Sequence, residues 1–459
     1  MPSVVGGVSR RSLLRGTAAA AGATVAGALA ACGQAGTPGQ SSASKQPVEL
    51  TLTVRNIEAE VKSWEDVFKV FVDQSNGKYR GNFLPAPAGE VEFTEKVSTL
   101  MAGGTPPDVF ILLARAKADF VERKLVMDLT SRMAKSKTAK PDTFFKPMQE
   151  AMQYKGKYWG TAEDYNATVL FINLSLLKEK GVAKPKIDWT YDDYRELARK
   201  TRNPERDVFG GSNWNGSTGP ANIATTWSFG KHLYIDEQKN KSLVNSPSSI
   251  QVHTLFQQMA FGDRTLPSPA APQKSGLGGD QGYYAVWNGW ANKPWQLYQA
   301  NKGNVPYEWA MHTFPKGPAD QRQGAQGHLY SVPSGGIQNA DAAWTLAEWI
   351  GGTEGWKNFV KIGKGIPLPI ADRALWESYY DFLPKEKANE LIDFVNKQLY
   401  PQYALNVSYP PYYDDVNKIL TDALKAIYGA DQVSPKTALD DAARKIDAVL
   451  DDYKKRTGG

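Results

Sequence analysis

Apolar and polar side chains alternate along Val48-Glu49-Leu50-Thr51-Leu52-Thr53-Val54, the period of a half-buried strand. The spacing then changes. Val61, Trp64, Val67, Phe68 and Phe71 recur at helical intervals, which predicts an amphipathic helix. Val109 to Leu113, after Pro106-Pro107-Asp108, is an unbroken apolar run, as in a parallel strand buried on both faces, and Val169-Leu170-Phe171-Ile172 is another. Thr190-Tyr191-Asp192-Asp193 reads as a capping box, across which Trp189 can staple onto Tyr194. Val416, Ile419, Leu420, Ala423, Leu424 and Ile427 form one helical stripe. Ser434-Pro435 then opens a last helix carrying Leu439, Ala443, Ile446, Val449 and Leu450 on one face. Strands alternating with helices predict an α/β fold with mostly parallel sheets. Residues 203–230 and 262–308, rich in Gly, Asn, Pro and Trp, read instead as long loops of the kind that carry function.

The chain has 459 residues, enough for two or more lobes. Hydrophobic residues make up 41% and charged residues 22%, a globular balance. No long, strongly apolar stretch is present, which excludes a multi-span membrane protein. One cysteine permits neither a disulfide framework nor a cysteine-based zinc site, and His232, His253, His312 and His328 lack zinc-helix spacing, so no metal or cofactor is expected. Half of the net charge of +6 sits on Arg10, Arg11 and Arg15, and no Lys/Arg run longer than Lys454-Lys455-Arg456 follows them. Nucleic acid is therefore not an expected partner.

Those three arginines belong to an address. Ser9-Arg10-Arg11-Ser12-Leu13-Leu14-Arg15 resembles the twin-arginine export motif, and Leu29-Ala30-Ala31-Cys32-Gly33 resembles the bacterial lipobox. The resemblance implies a signal peptide over 1–31, removed on lipidation of Cys32, whose two acyl chains suffice for stable anchoring. The Gly/Ser/Pro-rich stretch that completes 32–47 cannot bury a core and reads as a flexible linker. The expected location is outside the cytoplasm, on the outer face of the cytoplasmic membrane, with cell surface and periplasm both open.

Thirteen Trp and 21 Tyr, many in loop-like stretches, suggest aromatic plates for the apolar faces of a ligand. Trp214, Trp227, Trp287, Trp290, Trp295 and the segment Tyr409-Pro410-Pro411-Tyr412-Tyr413 stand out, with packing as the competing role for each. Asn56 and Glu58 follow the first strand, where open α/β sheets gather ligands, and are candidate hydroxyl partners. So are the acids of Glu163-Asp164-Tyr165-Asn166, while Arg115 follows the Val109 strand. Gly335-Gly336 would let backbone N–H groups approach a ligand.

Several segments together resemble the extracellular solute-binding proteins of ABC importers, in the maltose-binding-protein-like sugar-binding family (solute-binding family 1). They are Leu100-Met101-Ala102-Gly103-Gly104-Thr105-Pro106-Pro107-Asp108-Val109, Gly156-Lys157-Tyr158-Trp159-Gly160 with Val169 to Asn173, and Pro185 through Leu197. Val286-Trp287-Asn288-Gly289-Trp290, Phe314-Pro315-Lys316-Gly317-Pro318 and Gly429 to Leu450 complete the set. The resemblance implies a two-lobed periplasmic-binding-protein-like (type II) fold, with a hinge and a ligand cleft between the lobes. Crossings are then expected near Asp164, near Ala319–Gly324 and near Ile370–Arg373. The N-terminal lobe would be 48–163 plus 325–370 and the C-terminal lobe 164–318 plus 371–459. It further implies a sugar or oligosaccharide ligand, ABC-transporter permease subunits as partners, a monomer, and cleft positions for Trp290, Trp227, Tyr412, Asp164 and Tyr165.

Two other readings stay open. The same fold could take a non-sugar solute such as a polyamine, peptide or anion; a polyamine site wants carboxylates boxed with aromatics. An exported carbohydrate-active enzyme would need two carboxylates at a defined separation, and Glu163/Asp164, Asp192/Asp193 and Asp414/Asp415 are merely adjacent. No G-x-S-x-G element supports a serine hydrolase.

Overall fold

The structure, a computed structural model, describes residues 46–58, 60–268, 278–362, 368–370, 372–407 and 409–457. The expected signal peptide, Cys32 and the linker as far as Lys45 lie outside the described residues.

Two sheets organise the body. The first has five strands. The alternating segment forms β1 (Val48–Arg55), flanked in parallel by β2 (Tyr79–Ala86) and β3 (Val109–Leu112). Leu329–Ser331 lies antiparallel to β3, and Thr161–Ala162 antiparallel to that strand. The helix expected from the apolar spacing is α1 (Val61–Gln74), which buries Trp64, Val67, Phe68 and Phe71. Next in the chain come β2 and then α2 (Glu90–Ala102), whose buried side chains are Phe93 and Val97.

The second sheet is built around Asn166–Asn173, buried along its whole length. Its period of two is hidden because both faces are apolar. Val169 and Phe171 join the core that continues from the first sheet, while Leu170 and Ile172 join a second core on the opposite face. Contrary to expectation, this strand is not parallel to its neighbours. Tyr284–Trp290, Trp309–His312 and Gln323–Gln326 all run antiparallel to it, and only the outer strands Phe209–Gly211 and Ala404–Asn406 pair in parallel. Burial on both faces makes a strand uniformly apolar whatever its partners' direction, so the run alone did not determine polarity. The stretches read as loops also contain regular structure. Pro220–Gly230 is a helix with proline in its first turn, and Tyr284–Trp290 is a strand followed by the helix Lys293–Ala300.

The capping box forms as read. The Thr190 side chain accepts from the Asp193 N–H, the Asp193 carboxylate accepts from the Thr190 N–H, and Trp189 packs edge-on against Tyr194 at 5.9 Å.

The chain passes from the first sheet to the second through Glu163-Asp164-Tyr165 and returns through Gly327-His328, a little beyond the stretch 319–324 expected for it. The two passages are tied together. The Glu163 N–H donates to the His328 carbonyl (2.9 Å), and the His328 N–H donates to Asp164 Oδ1 (2.8 Å).

Candidate ligand-binding site

The passages form the floor of a cavity of about 220 Å³ between the two sheets. One wall comes from the carboxyl end of β1 (Arg55, Ile57), the start of α1 (Glu60, Trp64), Glu90 at the head of α2, and Ile111 of β3. Trp290, Asn292 and Gln296 face them from the second sheet and the helix behind it, with Gln326 and His328 closing the ring. Ligands collect at the carboxyl ends of strands in such sheets, because the connections diverge there and leave room.

Each wall is fixed from behind. Trp64 Nε1 donates to the Tyr330 hydroxyl (2.8 Å), so the indole is held although it is almost wholly buried. Asn166 Nδ2 donates to Asn292 Oδ1 (3.1 Å), and its own Oδ1 accepts from the Ala291 N–H (3.0 Å); this orients the turn directly after Trp290. The Ala114 N–H donates to His328 Nδ1 (3.0 Å). In the neutral ring the proton therefore sits on Nε2, which makes this buried imidazole a hydrogen-bond donor at that end. Tyr409 donates to Gln326 Oε1 (2.7 Å).

The electrostatics are lopsided. Glu60, Glu90, Glu163 and Asp164 line the cavity with Arg55 as the lining cation. Arg55 reaches Glu90 at 3.8 Å and donates from Nε to the Ala88 carbonyl. Burial pushes the Glu60 carboxyl up to about 7, helped by the Asp164 charge and opposed by Arg55. Burial, then the charges of Asp164 and Glu60, holds Glu163 well above the usual carboxylate range. At the edge, Arg115 bridges the two sides. It pairs with Glu90 (3.5 Å) and with Asp414, and lies 5.7 Å over the Tyr413 ring.

Of the residues singled out in the sequence, Glu163, Asp164 and Trp290 line the cavity and Arg115 flanks it through Glu90. The others lie elsewhere. Asn56 and Glu58 are exposed and outside the lining. Tyr165 is fully buried against Tyr400, their rings 5.2 Å apart. Trp287 is buried, stacked on Phe171 at 4.4 Å. It stands on the same strand as Trp290 but three positions away, an odd interval that turns it to the opposite face. Trp214 is core, and Trp295 packs on Tyr298 and Phe382. The Trp227 indole donates to Asp320 (3.3 Å). Tyr412 stands against Tyr453 in a separate hollow that also holds Tyr154, Pro410 and Pro411. Gly336 occupies a left-handed turn with φ +79°, where a Cβ would meet Pro106 at 2.9 Å, so its role there is conformational.

Sequence reasoning overlooked Glu60, Glu90, Asn292, Gln296, Gln326 and His328. Glu60 carried one usable signal: it directly precedes the helix that follows the first strand. Trp64 was read as core; it is core and cavity wall at once.

A sequence profile described as bacterial extracellular solute-binding protein matches residues 76–379. The chain is 24% identical over 415 residues to an arabinooligosaccharide-binding protein of Bacillus subtilis (strain 168), covering 84% of this chain and 87% of that one. In fold it is similar to an ABC substrate-binding protein of Listeria monocytogenes in complex with cycloalternan, with a TM-score of 0.73, 19% identity and coverage of 88% and 99% of the two chains. It is likewise similar to maltose-bound MalE3 of T. maritima, with a TM-score of 0.70, 17% identity and coverage of 88% and 100%. The two-lobed α/β architecture anticipated from the sequence is the fold of these neighbours, and the matched profile covers well over half of the chain: it belongs to the bacterial extracellular solute-binding protein family.

Proposed function

We propose that this protein is the lipid-anchored, extracytoplasmic substrate-binding component of an ABC importer, which takes a sugar or oligosaccharide into the cleft and delivers it to the permease. The observation that carries the reading is the cavity itself. Trp290 offers a flat apolar face, while residues bearing carboxyl, amide and imidazole groups line the same cavity. A carbohydrate presents the complement, C–H faces and a rim of hydroxyls. The sugar ligands named for the relatives agree with it. The lobes in this reading are 48–163 plus 325–370 and 164–318 plus 371–459, with Gln323–Gln326 going to the second lobe because the return passage lies at Gly327-His328, and with the hinge at the tied passages around Asp164 and His328. Cys32 carries the lipid, and the receptor works as a monomer without covalent chemistry.

Ligand that binds only the folded form stabilises it, by about 2.7 kcal/mol at 100 times its Kd. Thermal unfolding against a panel of mono- and oligosaccharides, polyamines, amino acids and anions is the test. A rise in midpoint with one saccharide class, lost in Trp290→Ala, supports the proposal. A rise confined to non-sugar solutes refutes the sugar assignment.

A further inference from the structure

The acids in the cleft lack a paired cation. Among the described residues, no Lys, Arg or His lies within ion-pair distance of Glu60, Glu163 or Asp164; Arg55 and Arg115 instead engage Glu90, and Arg115 also Asp414. Glu163 is only 3% exposed yet lines the cavity, and the neighbouring charge that acts on it most is that of the Asp164 carboxyl, another acid. Buried carboxylates are ordinarily paired, since an uncompensated buried charge is costly. The three carboxyls do not converge in the manner of a metal site, no such group being found among the described residues. What they share is a cavity whose far wall is the half-buried Trp290.

A neutral sugar supplies hydroxyl donors but no countercharge, so acids kept protonated by burial, as Glu60 and Glu163 are, stay protonated beside it. A protonated amine supplies donors and the charge together, and the Trp290 face adds the attraction of an indole for a cation. We propose that the solute of this cleft is a basic saccharide, whose protonated amine is received by Glu60, Glu163 and Asp164 beside the Trp290 ring. The inference rests on the cleft being the saccharide site and adds the chemical class of its ligand.

The test is calorimetric titration of the full chain at pH 6 with chitosan di- and trisaccharides and with cellobiose and cellotriose, which share the backbone but carry a 2-hydroxyl in place of the 2-amine. Spermidine is the non-saccharide cation. A charge-assisted hydrogen bond predicts that the amino-saccharide binds about tenfold or more tightly than its neutral counterpart. That ratio should fall toward one in Glu163→Gln, with the unfolding midpoint checked to show that the variant folds. Equal or tighter binding of the cello-oligosaccharides overturns the proposal and leaves the sugar-receptor reading standing. Binding of spermidine with no saccharide binding overturns both. A ratio that persists in Glu60→Gln, Glu163→Gln and Asp164→Asn also overturns the proposal, as does failure of every probe to bind. An affinity untouched by Trp290→Ala shows that the cleft is not the site.

Discussion

Replacing Glu60 by glutamine will stabilise the ligand-free protein at pH 8 and leave it unchanged near pH 4. Glu60 stands directly ahead of α1, where a helix terminus favours an anion, but it makes no side-chain capping bond there. Burial and Asp164 outweigh that advantage and lift its carboxyl from 4.5 to about 7. The folded chain thus holds this proton more tightly than the unfolded chain. Protonation contributes stability that is fully present below pH 4.5 and is lost as the pH rises through about 7. At about 1.4 kcal/mol per pH unit, the loss is on the order of 3 kcal/mol. Glutamine keeps the shape and never ionises, so the variant escapes the loss, and it also relieves Glu163, which feels the Glu60 charge. The assay is denaturant or calorimetric unfolding of both proteins from pH 4 to pH 8. Curves that coincide at pH 4 and separate by a few kcal/mol at pH 8 are expected. Parallel curves, or a wild type more stable than the variant at pH 8, would refute the reasoning.

Arg115→Ala removes the bridge from Glu90 to Asp414 and Tyr413. Asp414 is largely exposed, so the pair is worth about 0.2–1 kcal/mol. The ligand dissociation rate should rise up to about fivefold, and an unchanged rate in stopped flow would count against a bridging role. Tyr330→Phe strands the buried Trp64 Nε1–H, at a cost of about 1–3 kcal/mol in urea unfolding; no loss would mean that the indole finds another acceptor.

Much of the frame was readable from spacing alone. The alternating segment became β1, the 3–4 spacing from Val61 became α1, and the Thr190 capping box formed with its Trp189 staple. These features are local, so a few neighbouring residues decide them. Strand direction in the second sheet depends on segments more than a hundred residues away, such as Tyr284–Trp290 against Asn166–Asn173. The site divides in the same way. Trp290 could be named because it falls in a segment resembling a family, and Asp164 because that resemblance puts a crossing beside it. Asn56 and Glu58 were chosen for following a strand, yet the chain turns after Arg55, and Glu60 enters the cavity while those two face solvent. Trp287 was chosen as an aromatic in a loop-like stretch, and Phe171 claims it from the other face. His328 looked incidental because its value comes from Ala114, distant in sequence, which fixes its tautomer.

The tie between the two passages has a kinetic meaning. Glu163 and Asp164 lie on one of them and His328 on the other, joined by a backbone hydrogen bond at 2.9 Å and by the His328 N–H donating to the Asp164 carboxylate at 2.8 Å. If the lobes swing about this line, points on it hardly travel. A solute resting on these carboxyls keeps the same contacts in the open and the shut molecule. Glu60 and Trp290, set to either side, reach it only at the end of the swing. Capture and retention then fall to different residues: the axis governs how fast a solute is caught, and the jaws govern how long it stays.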